Sequence, residues 1–107
     1  MSAITTHVLD TARGRPAAGM QVRLEAPDGS VADGVTDDDG RVGELGSADA
    51  LVGTYRLVLD TGAYFAVTGQ QGFFPEVVVT FEVTDPSRRH HVPLLLSPFS
   101  YSTYRGS

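Results

Sequence analysis

The segment that decides the fold class alternates strictly between apolar and polar side chains. It reads Met20-Gln21-Val22-Arg23-Leu24-Glu25-Ala26, with the apolar residues at every second position. Because successive side chains of a β-strand point to opposite faces of a sheet, this period of two predicts a strand with one buried face. A turn signal follows directly, in Pro27-Asp28-Gly29-Ser30. The segment therefore predicts one half-buried strand of an antiparallel sheet, closed by a turn.

Similar runs recur along the chain, at residues 4–9, 31–35, 55–59, 77–83, 90–96 and 101–105. Short strands at this spacing, with glycine and proline between them, indicate a β-sandwich. Residues 60–69 differ, because Ala63, Ala66 and aromatic residues occur there without alternation. This segment predicts one helix of about two turns, capped by Asp60 or Thr61 and ended by Gly69.

The length and composition limit the classes of function. A chain of 107 residues suits a single domain over residues 1–107 and leaves little room for a deep cleft within one chain. The net charge of −5 disfavours nucleic acid and anionic membranes as partners. With no cysteine there is no disulfide, thiolate nucleophile or zinc–thiolate site. We find neither a signal peptide nor a membrane-length apolar run, so we expect a cytoplasmic protein.

The residues able to carry chemistry near neutral pH are three histidines: His7, His90 and His91. Adjacent strand residues point to opposite faces, so His90 and His91 cannot both serve one site. A single histidine in a strand is more often a solvated or hydrogen-bonded side chain than a catalytic one. Arg41 follows an acidic turn at residues 37–40. It is either a solvated charge or a planar five-donor group aimed at a carbonyl or an anion.

Other motifs argue against several kinds of site. The acidic turn lacks the spacing of an EF-hand, and the chain has no Gly-x-Ser-x-Gly elbow. The histidine spacing also lacks the close pairs that zinc sites use, so we expect no metal. Spacing alone does not bring His7, Arg41 and His91 together.

Three motifs carry more specific information about the family of this chain than its periodicity does. They lie at residues 7–17, residues 36–41 and residues 91–107, and they resemble the 5-hydroxyisourate hydrolases, the transthyretin-related enzymes of the urate pathway. Residues 73–76 also fit this family. The chain ends in Tyr104-Arg105-Gly106-Ser107, an ending that marks the hydrolases and that transthyretin, the hormone carrier, lacks. The chain departs from the family at His90, where an aromatic residue is usual.

The resemblance implies an all-β fold: a transthyretin-like sandwich of two sheets, with about eight strands and one short helix. It implies a cyclic amidohydrolase that converts 5-hydroxyisourate to 2-oxo-4-hydroxy-4-carboxy-5-ureidoimidazoline, without a cofactor. It also implies a homotetramer, built as a dimer of dimers, with active sites in the channel between the dimers. An interface would supply the pocket that a small sandwich lacks.

The resemblance also implies the site residues. The catalytic ones are His7, Arg41, His91 and Ser107, and the substrate-binding ones are His7, Arg41, Tyr104, Arg105, Gly106 and Ser107. Our hypothesis is that one of the two histidines takes a proton from the attacking water and the other orients water or substrate. Arg41 polarises the carbonyl and stabilises the oxyanion. Ser107 hydrogen-bonds the substrate, which Arg105 or the chain-end carboxylate orients. The alternatives are a carrier of small aromatic ligands and a structural accessory domain, neither of them catalytic.

Overall fold

The computed structural model describes residues 3–107, so Met1 and Ser2 of the predicted domain lie outside the described residues. Its elements, in chain order, are β1 (Ile4–Asp10), β2 (Arg15–Pro16), β3 (Gln21–Glu25), β4 (Val31–Val35), β5 (Gly53–Leu59), α1 (Thr61–Val67), β6 (Val77–Val83), β7 (His90–Ser97) and β8 (Ser100–Thr103). The predicted all-β fold of about eight strands with one short helix is confirmed. The sequence did not predict β2, because two residues are too short to show a period.

The strands form two four-stranded sheets. In the first sheet the order is β2-β1-β7-β8, and in the second it is β4-β3-β5-β6. All neighbouring strands run antiparallel except β1 and β7, which are parallel. Their register pairs Thr5 with His91 and His7 with Pro93. This pairing brings residues 86 positions apart onto one short stretch of sheet.

The core lies between the two sheets and follows the alternation of the sequence. Every second residue of β1 is buried, beginning with Ile4, and the residues between them are half-buried. Strands β3 and β5 supply buried residues from the second sheet, among them Val22, Leu24, Leu57 and Leu59. We call the side of each sheet that meets this core its inner face, and the opposite side its outer face. Since His7 falls at an alternate position, it lies on the outer face of the first sheet.

The helix begins and ends close to the predicted residues. The Asp60 carboxylate accepts a hydrogen bond from the Ala63 amide at 3.1 Å, as an N-cap does. Thr68 is the C-cap, and Gly69 follows in the left-handed region with φ of +70°. No helix within residues 3–107 is long and apolar enough to span a membrane.

A buried carboxylate connects the helix to β1. Asp10, at the end of β1, is only 1% exposed. It accepts hydrogen bonds from the Tyr64 hydroxyl at 2.6 Å, the Gln70 amide at 2.9 Å and the Arg13 backbone N–H at 3.0 Å. Burial alone would raise the pKa of Asp10, but these donors outweigh it and lower the pKa below its ordinary value. Asp10 is therefore a fixed anion that helps to hold the helix against the first sheet.

Candidate active site

His7 lies in the middle of β1, between two neighbouring chain segments. On one side its register partner is Pro93 of β7. On the other side His7 forms an isolated antiparallel β-bridge with Arg41, next to a hydrogen bond of 2.8 Å from the Val8 N–H to the Gly40 carbonyl. The structure therefore places Arg41 beside His7, although 34 positions separate them in the sequence.

The acidic turn that precedes Arg41 fixes the position of its backbone. The Asp37 carboxylate accepts hydrogen bonds from the backbone N–H groups of Asp39 at 2.9 Å and Arg41 at 3.0 Å. Gly40 adopts a φ of +77°, and a Cβ there would overlap the Val8 carbonyl oxygen. Only glycine satisfies both conditions. The turn is thus a rigid support that packs against β1. Within residues 3–107 no carboxylate forms an ion pair with the Arg41 guanidinium.

His91 lies on the same outer face, one strand away from His7. Its register partner Thr5 is two residues before His7, so these three residues share a face. The Nδ1 atom of His91 is hydrogen-bonded to the Thr5 hydroxyl at 2.8 Å. Burial lowers the pKa of His91, and the positive charges of Arg41 and His7 lower it further. His91 is therefore neutral at pH 7, and its ring lies within electrostatic range of both Arg41 and His7.

The end of the chain returns along β7 to the same place. The pairing of β7 with β8 continues in register beyond Thr103, so that Gly106 forms a β-bridge with His91. The Gly106 N–H donates to the His91 carbonyl at 2.9 Å. Ser107 is exposed and follows directly. Gly106 is therefore the residue of the chain end that contacts the histidine and arginine group.

Tyr104 and Arg105 lie slightly apart from that group. With His90 and His91 they line a groove of 230 Å³ at the edge of the sandwich, and β6 forms its other wall. Neither His7 nor Arg41 lines this groove. The structure thus brings together His7, Arg41, His91 and Gly106, and it puts Tyr104 and Arg105 at the margin. The roles assigned to these residues stay predictions.

Comparisons with known proteins show the family to which this chain belongs. The model of the HIUase/Transthyretin family matches residues 4–106. The chain belongs to this family. It is 48% identical to the 5-hydroxyisourate hydrolase of Mus musculus, over 99% of this chain and 96% of that protein.

Two solved structures of the family superpose closely on the fold. One is the 5-hydroxyisourate hydrolase of Klebsiella pneumoniae, with a TM-score of 0.88 and 36% identity over 97% of this chain and 98% of that one. The other is sea bream transthyretin in complex with thyroxine, with a TM-score of 0.83 and 30% identity over 97% of this chain and 94% of that one. The transthyretin-like sandwich predicted from the sequence is confirmed.

His90 departs from the usual aromatic residue of the family and lies outside the site group. It is 5% exposed, on the inner face of β7, and its Nδ1 atom donates to the Arg88 carbonyl at 2.9 Å. The alternation of the sequence had predicted that His90 and His91 point to opposite faces, and the structure agrees.

Sequence reasoning missed Thr5, which contacts His91 directly. A threonine in a β-strand is ordinary, because β-branched residues favour strands, so its presence alone carries no signal. Its only clue is its position two residues before His7, which places both on one face.

Proposed function

We propose that this chain catalyses the hydrolysis of 5-hydroxyisourate to 2-oxo-4-hydroxy-4-carboxy-5-ureidoimidazoline in urate degradation. The observation that carries the proposal is the convergence of His7, Arg41 and His91 on one outer face. The relatives named 5-hydroxyisourate hydrolase, which match nearly the whole chain, support the same reaction. The reaction adds water to a carbonyl of a cyclic amide and cleaves the ring C–N bond, so it needs a base that takes a proton from water and returns it to the leaving nitrogen, and a group that stabilises an oxyanion.

The histidines would supply the base. A neutral imidazole accepts a proton from water as the water attacks the carbonyl, and a base placed in this way contributes about 10²–10⁴-fold to the rate. The lowered pKa of His91 keeps it in the neutral, proton-accepting form at pH 7. The other histidine would orient the water or the substrate.

Arg41 would stabilise the oxyanion. Its guanidinium is a planar group of donors with no carboxylate partner within residues 3–107, so it is free to bind the substrate carbonyl. Loss of such a donor costs about 3–4 kcal/mol of transition-state stabilisation. Ser107 and Arg105 would bind the polar edge of the heterocycle, with Tyr104 and Gly106 forming the rest of the binding surface.

A homotetramer, built as a dimer of dimers, would enclose this site. In one chain the site lies on an outer face and has no cover, whereas small-molecule sites are normally concave. Phe99, in the turn between β7 and β8, is 72% exposed, and Phe73, whose backbone N–H donates to the Pro98 carbonyl of that turn at 2.7 Å, is 70% exposed. Apolar surface of this kind marks contacts between protein chains. The cytoplasmic location stays a prediction from the sequence, which cell fractionation would test.

The test is an ultraviolet absorbance assay on freshly generated 5-hydroxyisourate. We expect the purified protein to remove the absorbance faster than the spontaneous decay. A variant that lacks Ser107, or that carries a long tag after it, should be slower, because the chain end is proposed to lie in the site. A spontaneous rate with the intact protein, together with saturable binding of small aromatic ligands, would favour the carrier alternative instead.

A further inference from the structure

The ring of His91 is held on two flanks close to its attachment to the backbone. On one flank the Thr5 hydroxyl lies 2.8 Å from Nδ1. On the other flank the backbone of Gly106 lies so close that a Cβ there would be 2.5 Å from Cδ2. The remaining ring atoms, Nε2 and Cε1, are at the far tip. This arrangement fixes the ring plane and leaves the tip for a ligand.

His7 is not held in this way. Within residues 3–107 no hydrogen bond joins a side chain or backbone group to the His7 ring, although His7 shares the outer face with Thr5 and His91. The two candidate bases therefore differ in one physical respect. Only His91 has a fixed partner at one nitrogen, which sets the role of the other nitrogen.

We propose that Thr5 is a positioning residue that, together with Gly106, holds the proton of neutral His91 at Nδ1 and leaves Nε2 as the base. This proposal rests on the proposed function, and it assigns the proton-accepting role to His91 rather than to His7. In a neutral imidazole one nitrogen donates and the other accepts. When Nδ1–H donates to the Thr5 oxygen, the lone pair of Nε2 is available to take the proton of the attacking water.

The positions of the two ring nitrogens select this tautomer for catalysis. A hydroxyl can donate or accept, so the Thr5 hydroxyl accommodates either tautomer. Thr5 occupies Nδ1, whereas Nε2 lies at the tip of the ring, so only the tautomer protonated at Nδ1 presents a lone pair to a water on the outer face. Hydrogen bonding to Thr5 opposes the effect of burial and raises the pKa of His91, and it would stabilise the imidazolium that forms after proton transfer.

Packing against the His91 ring gives a structural reason for a glycine at position 106. The His91 ring occupies the space where any other residue would place its Cβ. The backbone hydrogen bond from Gly106 to His91 keeps the two segments at this distance. Gly106 thus acts on the ring through packing, and the exposed residues beside it remain free to contact the substrate.

The experiment compares two neighbouring threonines. Thr5→Val removes the hydroxyl from His91 and keeps the shape of the side chain. Thr6→Val is the matched control, because the Thr6 hydroxyl makes an equivalent bond from β1 to β7, to the Val92 carbonyl at 2.7 Å, but on the inner face. Thr5→Ser retains a hydroxyl and should restore the function.

The first readout is the tautomer of His91, measured by ¹⁵N NMR on the full-length protein without substrate. The chain has three histidines, and single variants of His7 and His90 assign the signals. We expect a proton at Nδ1 in the wild type, in Thr5→Ser and in Thr6→Val, and a mixture of tautomers in Thr5→Val. A wild-type proton at Nε2 would overturn the proposal even if the protein hydrolyses 5-hydroxyisourate.

The second readout is steady-state kinetics. We expect Thr5→Val to lower kcat about tenfold, which corresponds to the loss of one hydrogen bond, with little change in KM. We expect Thr6→Val to leave both kcat and KM nearly unchanged. An unchanged kcat in Thr5→Val would also overturn the proposal. If the wild type has no activity, the proposed function fails, whereas the NMR result still decides the tautomer.

Discussion

The two faces of the first sheet carry the same kinds of residue and use them differently. On the inner face, Thr6 and His90 each form a hydrogen bond to a backbone carbonyl. On the outer face, Thr5 and His91 bond to each other, and His7 lies beside them. Thr5 and Thr6 of β1, like His91 and His90 of β7, are neighbours in the chain, yet their side chains lie on opposite faces of the sheet.

The difference shows what makes a polar side chain structural or reactive. Every buried side-chain nitrogen and oxygen in the described part of the chain has a hydrogen-bond partner. On the inner face those partners are fixed groups of the protein. On the outer face His91 has a partner only at Nδ1, and Arg41 has no carboxylate in the described residues, so both can meet a ligand.

The largest expected effect comes from exchanging the two neighbouring histidines for alanine. His91→Ala should lower kcat by about 10²–10⁴-fold, because it removes the proposed base, with little loss of folding stability. His90→Ala should do the reverse. It should destabilise the fold by about 1–3 kcal/mol and retain activity per folded molecule. Kinetics and urea unfolding on both variants measure this. If His90→Ala were folded and as inactive as His91→Ala, the proposed difference between a structural inner face and a reactive outer face would be wrong.

The alternation of the sequence was sufficient to predict this division of faces. It predicts that His90 and His91 point to opposite faces, because a period of two needs only neighbouring residues. The helix cap at Asp60 was predictable for the same local reason. The pairing of β1 with β7 was not, since it joins segments 86 positions apart. Nor was the bridge from Arg41 to His7. The resemblance to a family implied that His7, Arg41 and His91 share a site, and it gave no reason to notice Thr5.

A second prediction concerns the inner face alone. Asp10→Asn should destabilise the protein by about 1.5–3 kcal/mol, because a neutral amide replaces a buried carboxylate that accepts three hydrogen bonds. Activity per folded molecule should be unchanged, since Asp10 points away from the site. Urea unfolding and kinetics at pH 7 measure the two quantities. Tyr64→Phe removes one of the three bonds and should cost less than Asp10→Asn.

The same carboxylate predicts part of the acid sensitivity. The pKa of Asp10 is lowered in the folded state, so its contribution is complete above the ordinary aspartate pKa of 3.8 and is lost as the pH falls through the folded value. Between pH 5 and pH 2 the free energy of unfolding should therefore decrease less steeply in Asp10→Asn than in the wild type. Equal slopes would show that Asp10 is not held as an anion.

The smallest expected effect is on the outer face, and it tests whether Arg41 faces His91. Arg41→Gln should raise the pKa of His91 towards its ordinary value of 6.5, because a positive charge near the ring is removed. Burial and His7 should still keep the pKa below that value. Titration of the ring protons by NMR measures this without substrate.

Arg23→Gln is the matched control for that titration. Arg23 lies on the second sheet, where it pairs with Asp33 at 3.1 Å, so its removal changes the net charge equally but not the field at His91. A rise in the pKa of His91 in both variants would indicate a general charge effect. No rise in either variant would show that the Arg41 guanidinium does not lie near the His91 ring. A rise in Arg41→Gln alone would mean that the guanidinium and the imidazole lie close together. Arg41 would then have two effects on hydrolysis, one on the oxyanion and one on the basicity of His91. The pH at which kcat falls on acidification should therefore be higher in Arg41→Gln than in the wild type.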